Sequence, residues 1–373
     1  MTKTARGNFV SEWFGHRIYP HVVPSPEALK NQRDQQCPFL SRVKDNPQEC
    51  VKNTKSKGVC TISSCSNGPR QDWVACPYRV FDPRLIETVA SRLYDAKPVD
   101  AIPGPRLELE ATRSKVLRAL KSGRSVLVYF DQKIGGEVSL SATAKSPEMA
   151  FDVTLVELLW QHGSVGLGRF AILEVQTMDF HGSYGRAVGN LRSGLDLHRD
   201  RFPEVLEENQ WWAGDRIEGP NIANVFKRTF YQMMFKFSFG GHDACVGTAL
   251  VISASVWDSW QPFLAAPNLV DAGDGTSRLL HPEAKGKQGR VPAWIYVFDL
   301  DHSAKTTPSP IRISRIIGLT ADALGYYALK AAPEEASLRL LSEAGVYATL
   351  RRRLQAYWPS QDIIVVGFSS GDG

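Results

Sequence analysis

Three strand-forming runs stand close together in the chain: SVLVYFD (125–131), EMAFDVTLVEL (148–158) and RFAILEVQTM (169–178). They are rich in Val, Leu, Ile and Phe, which suit a pleated, half-buried surface. Two of them interrupt that pattern with a carboxylate, Asp152 in the second run and Glu174 in the third. A charged side chain in such a run is costly unless it faces a cleft or a partner. The runs therefore restrict the chain to a fold with a central sheet that turns acidic groups toward an opening.

The flanking segments fit this frame. DPRLIETVASRLYDA and LELEATRSKVLRALKSG, within 82–122, read as helices. From Gly219 another helix is expected, with Pro220 in its first turn. Its apolar face is Ile222, Val225, Phe226, Phe230, Met233 and Phe237, and its opposite face Asn224, Lys227, Arg228 and Tyr231. Strands are expected at CVGTALVIS (245–253) and AWIYVFDL (293–300), separated by a Gly- and Asp-rich stretch at 271–275. One amphipathic helix (334–357) and a short strand, DIIVVGF, close the chain. The class is α/β.

At 373 residues the chain exceeds one average domain, so a catalytic domain with an appended smaller module is expected. We set the boundary near 81: residues 1–81 form a loop-dominated module and 82–373 the main domain. A composition 43% hydrophobic and 22% charged excludes a disordered chain. No apolar run is long enough to cross a bilayer, and the N-terminal residues lack a secretory pattern, so a cytoplasmic protein without membrane contact is expected. The charge is unevenly spread. Residues 1–81 hold 12 Lys and Arg against 6 Asp and Glu, a net +6, while the remainder holds 32 against 33. A basic module beside a neutral body suits a polyanion such as DNA, although a merely solvated basic surface has the same charge.

Five of the six cysteines, Cys37, Cys50, Cys60, Cys65 and Cys76, fall in that basic segment. In a reducing compartment such clustering points to metal rather than disulfides. Four thiolates suit zinc or iron. Five cysteines exceed four positions, and their spacing alone does not say which is surplus.

Asp152 and Glu174 are separated by 21 residues, and Glu174 opens the triplet Glu174-Val175-Gln176. Residues i and i+2 of a strand face the same way, so Glu174 and Gln176 project together. Converging carboxylates of this kind can hold divalent ions for phosphodiester cleavage. Glu137, after two glycines in GGEVSLS, is a third acidic candidate. His181, just past the third strand, reads as a turn residue and is given no role.

Longer stretches carry a resemblance. FAILEVQTMDFHGSYGRAVG (170–189) and EGPNIANVFKRTFYQMMFKF (218–237) resemble the NotI-like family of type II restriction endonucleases, within the PD-(D/E)XK nuclease class. FVSEWFGHRIYPHVV, GGEVSLS, FDVTLVE and the cysteine segments CPFL, CVK, GVC and WVACP fit the same family in the same order, over roughly residues 8–300. Residues 190–217 depart from it.

The resemblance implies a PD-(D/E)XK core, a mixed central sheet flanked by helices, with a four-cysteine metal module before it. It implies a catalytic group of Glu137, Asp152, Glu174 and Gln176, with Mg²⁺ on Asp152 and Glu174 and Gln176 where many relatives have Lys. Cys37, Cys50, Cys60 and Cys76 would hold iron or zinc, leaving Cys65 surplus. It further implies a bacterial homodimer that cuts duplex DNA within a GC-rich palindrome, paired with a cognate DNA methyltransferase. Arg186, Arg192, Lys227 and Arg228 are candidates for DNA contact. Two rivals share some of these features: a repair or modified-DNA nuclease of the same class, and a metal-bearing DNA-binding protein without catalysis.

Overall fold

The computed structural model describes residues 7–66, 68–95, 101–284, 291–303, 306–340, 342 and 345–364. Strand β1 (Phe9–Trp13) pairs with β2 (His16–Arg17), and helices α1 (Pro26–Arg33) and α2 (Pro38–Lys44) follow. Each of these helices has a proline in its first turn, where no intrahelical N–H is lost. Strands β3 (Val59–Ser64) and β4 (Gln71–Val74) complete an antiparallel sheet ordered β2-β1-β3-β4. The loop-dominated reading of 1–81 is therefore corrected. Every residue of β1 and β3 is buried, polar Ser11, Glu12, Thr61 and Ser63 included. Burial of both faces removes the alternation by which a half-exposed strand is recognised.

After α3 (Pro83–Leu93) come β5 (Ala101–Pro103), α4 (Glu110–Lys121), β6 (Val126–Asp131), the pair β7 (Val138–Leu140) and β8 (Met149–Phe151), then β9 (Val153–Gln161) and β10 (Ser164–Gln176). Helices α5 (Gly185–His198), α6 (Phe202–Glu208) and α7 (Ile222–Phe239) lead to β11 (Cys245–Ser253) and α8 (Ala254–Trp260). Strands β12 (Val270–Asp271), β13 (Ser277–Arg278), β14 (Ala293–Leu300) and β15 (Ile311–Leu319) precede the short helices α9 (Ala321–Tyr326) and α10 (Ala332–Ser337), and then α11 (Val346–Tyr357).

The large sheet is mixed, nine strands in the order β12-β13-β15-β14-β11-β10-β9-β6-β5. At its centre β10, β11 and β14 are parallel, while β9 and β15 run antiparallel to their neighbours. Its two faces belong to different cores, as the two-residue period of a strand requires. Ala171 and Leu173 of β10 and Ala249 and Val251 of β11 pack under Leu85, Ile86 and Val89 of α3. On the other face Leu250 and Ile252 pack with Val225, Phe226, Met233 and Phe237 of α7 and with Trp257 of α8. Both cores take residues from the N-terminal sheet: Trp13, Ile62 and Trp73 join the α7 side, and Val74 with three cysteines the α3 side. The molecule is thus a mixed α/β structure, a large mixed sheet flanked by helices.

Three local expectations need correction. Pro220 lies outside α7, in an isolated bridge to Phe180, and Asn221 precedes the first helical residue. The expected helix 334–357 is two, α10 and α11, because the chain is extended at Gly345 (φ −83°, ψ −175°). Asp362–Ile364 are not a strand, and the rest of DIIVVGF lies outside the described residues. No helix among the described residues is long and apolar enough to cross a membrane.

Candidate active site and cysteine cluster

Strand β10 ends at the site. Its residues Ile172, Glu174 and Gln176 point to the side of α7, and Leu173 and Val175 to the α3 side. Asp152 occupies the single-residue break between β8 and β9. Its exposed carboxylate accepts the Val175 N–H through Oδ2 at 2.9 Å, and its own N–H donates to Glu174 Oε1 at 3.2 Å. Each carboxylate thus accepts a backbone N–H at or beside the other residue.

Glu174 is buried, 6% exposed. Burial pushes its carboxyl up to about 8, the charge of Asp152 adds to this, and Lys236 opposes it. Gln176 is pinned at both ends of its amide. Its Oε1 accepts from Thr229 Oγ1 of α7 and its Nε2 donates to the Thr177 carbonyl, each at 2.5 Å. Glu137 stands one residue beyond the last pair of the β7–β8 ladder, Val138↔Phe151, so the register sets it across from Asp152. Its side chain is exposed. Asp152, Glu174, Gln176, Thr229, Gln232 and Met233 line a small cleft between β10 and α7.

Three residues there were not singled out in the sequence. Lys236 is buried and donates to Glu174 Oε2. Thr229 fixes Gln176. Both lie on α7, seven residues apart and so on one helix face, but nothing in the local sequence marks that this face meets β10. The third is Asp131 at the end of β6, buried and accepting from Tyr78 Oη at 3.5 Å. Burial raises its carboxyl, and the charge of Asp152 raises it further.

The DNA-contact candidates lie on exposed helix faces, Arg186 and Arg192 on α5 and Lys227 and Arg228 on α7. Arg228 is engaged by Asp179 at 2.8 Å. A cavity of about 1130 Å³ elsewhere, beside α3 and β13–β15, is lined by Arg84, Arg92, Arg278 and Trp294. It is far larger than the acidic cleft but contains none of the acidic pair, so chemistry rather than volume places the candidate site at β10.

None of the six cysteines is in a disulfide. Four gather where two backbone pairings meet. Gln36 bridges Glu49, which sets Cys37 near Cys50, and the β3–β4 register sets Cys60 near Cys76. Cys60 and Cys76 are hydrogen-bonded to each other, which brings the Cys76 thiol down to about 6 and drives Cys60 up. Burial pushes Cys37 up to about 12, and both Cys76 and Cys50 lie within electrostatic reach of it. Cys65 is exposed, beyond the end of β3.

Donor chemistry decides which ions these groups suit. The thiol set is soft and suits zinc or iron, whereas the two carboxylates and the amide are hard oxygen donors that suit Mg²⁺. Among the described residues no group of three or more His, Cys, Asp or Glu has metal-holding geometry as it stands. Magnesium does not require one, since it commonly takes one or two carboxylates and fills its remaining positions with water and phosphate. For the cysteines the fit is one of type and neighbourhood, with Cys50 only half-buried. Compared with family models and with curated proteins, the chain matches none.

Proposed function

We propose that this protein is a Mg²⁺-dependent type II restriction endonuclease of the NotI-like kind, built on a PD-(D/E)XK core. The observation that carries the reading is the pair of backbone bonds that sets two carboxylates side by side, the Asp152 N–H on Glu174 Oε1 and the Val175 N–H on Asp152 Oδ2, at the end of a central strand whose next inward side chain is Gln176. Chemistry on a phosphodiester gives a reason to place two carboxylates and an amide around one cleft. A purely DNA-binding protein has none.

In this reading Asp152 and Glu174 hold the ion, and Glu137 approaches from the β7–β8 hairpin. When bound, the ion acidifies a water and offsets charge on the attacked phosphate. Gln176 cannot take a proton near neutrality, and both ends of its amide are already engaged, so it orients neighbouring groups rather than acting as a base. The exposed basic side chains of α5 and α7 would meet phosphate or base edges. The four cysteines Cys37, Cys50, Cys60 and Cys76 would hold iron or zinc and tie the N-terminal sheet together. The described residues of each chain hold one such acidic pair, so cutting both strands of a GC-rich palindrome in one encounter calls for a homodimer. A bacterial host would need a companion methyltransferase to protect its own sites.

The test is to digest unmethylated plasmid DNA with Mg²⁺ and sequence the ends. Discrete fragments with one common end sequence are expected. Cutting only of modified or branched DNA would move the protein to the repair or modified-DNA class. No cutting of any duplex, with binding retained, would leave a non-catalytic DNA-binding protein.

A further inference from the structure

Position 176 leaves the site end of strand β10 without a cation, yet one reaches the site from the neighbouring helix. Lys236 lies near the C-terminal end of α7, and its Nζ donates to Glu174 Oε2 at 2.5 Å. The side chain is 3% exposed and its ammonium stands 5.8 Å from the centre of the Phe151 ring. Its backbone carbonyl accepts from Thr248 Oγ1 of β11 at 2.8 Å, which ties this turn of α7 to the sheet. Around it Phe235 and Phe239 pack against Met149, Phe151 and Ile172.

Stability alone does not explain a lysine here. Removing an ammonium from water costs several kcal/mol, and a well-packed apolar side chain in place of a buried ion pair is often neutral or stabilising. Orientation is what this lysine supplies. Glu174 receives the Asp152 N–H on Oε1 and the Lys236 ammonium on Oε2, so both its oxygens are directed. Seven residues earlier on the same helix, Thr229 directs Gln176. One helix thus sets both inward side chains at the end of β10.

We propose that Lys236 is a positioning residue of the acidic site, whose ammonium fixes Glu174 beside Asp152 for a divalent cation and supplies the positive charge that Gln176 cannot. The inference rests on the nuclease reading and adds to it a residue that its motif does not contain.

The test measures Mn²⁺ binding to the DNA-free protein from the paramagnetic resonance signal of the free ion, with D152N as the blank. K236Q keeps a hydrogen-bond donor but loses the charge, and K236R keeps the charge. For folded K236Q, checked by near-ultraviolet circular dichroism, Mn²⁺ affinity is expected to fall by about tenfold or more, with K236R within about threefold of wild type. A fall below about threefold in folded K236Q overturns the proposal, because Lys236 is then only a buried counter-ion. Should K236Q not fold, K236R decides: a folded K236R whose affinity drops by more than about tenfold overturns it equally.

Single-turnover cutting is measured separately, and K236Q is expected to cut about a hundredfold more slowly than wild type, with K236R largely restoring the rate. A wild-type protein that binds Mn²⁺ through Asp152 and Glu174 but cuts no DNA sinks the nuclease reading. The positioning role of Lys236 is then still judged by the Mn²⁺ affinities.

Discussion

Glu174 has a thermodynamic signature of its own. Its carboxyl is held near 8 by burial first and by the charge of Asp152 second. An unfolded glutamate releases its proton near pH 4.3. Between these values the folded protein retains a proton that the unfolded chain has lost, so stability is full below the lower value and declines as pH rises through the upper one. In EDTA the melting temperature of wild type is expected to fall across this interval more steeply than that of E174Q. Parallel curves would show that Glu174 is not the group responsible.

His16 has the opposite sign. Burial lowers it to about 4, against partial opposition from Glu12, and it is held between Asn31 and Thr307. Its stabilisation is present above its unfolded value of about 6.5 and is lost as pH falls toward 4. H16Q should therefore flatten the acid limb of the stability curve, and a limb unchanged from wild type would rule the histidine out.

The buried pair Arg79–Glu12, bidentate at 2.6 and 2.9 Å, makes a third prediction. R79M strands an uncompensated carboxylate and should cost about 3–5 kcal/mol in urea denaturation. The double change R79M/E12Q should cost less than R79M alone. A double variant at least as unstable would mean that packing, not charge, is what Arg79 provides.

Among the elements, those with a clean period were legible. The runs 125–131, 148–158 and 169–178 became β6, β8–β9 and β10, and the apolar face of α7 is largely the one read from spacing. Strand β15 was missed although Ile311, Ile313, Ile316 and Ile317 mark it, and the N-terminal sheet was missed because its strands are buried on both faces. At the site the spacing indicated Asp152, Glu174 and Gln176. Lys236 escaped because it reaches β10 from a helix 62 residues away in sequence from Glu174, and no local pattern encodes that meeting.

The cysteine elements separate in the same way. Cys60 lies in β3 and Cys76 follows β4, whereas Cys65 is out in solvent. Elemental analysis is expected to find about one iron or zinc per chain, retained in C65S and lost together with thermal stability in C60S. Equal metal content and equal melting in the two variants would remove the thiols from any structural role.

At the scale of the molecule, residues before and after position 81 share both large cores. A chain starting at 82 lacks Trp13, Ile62 and Trp73 from one core and Val74 with Cys60 and Cys76 from the other, and it should not give a cooperative unfolding transition. A sharp transition from that fragment would show that the main sheet folds alone. Light scattering of the full chain should give about 83 kDa, twice the 41.4 kDa of one chain. A monomer mass with and without site-bearing DNA would overturn the dimer.

The clasp around Arg79 also bears on the order of synthesis. Besides Glu12 of β1, its guanidinium donates to the carbonyl of Ser309, and His16 beside β1 bonds Thr307. These two partners leave the ribosome some three hundred residues after β1, at translation rates of about 5–20 residues per second. Until then the nascent chain carries a buried-type Glu–Arg pair with one of its acceptors missing and an N-terminal sheet without the surface that covers it. Completion of this clasp is thereby deferred until residues 307–309 have been made, so products that stop short of them would be recognised by chaperones and proteases as unfinished.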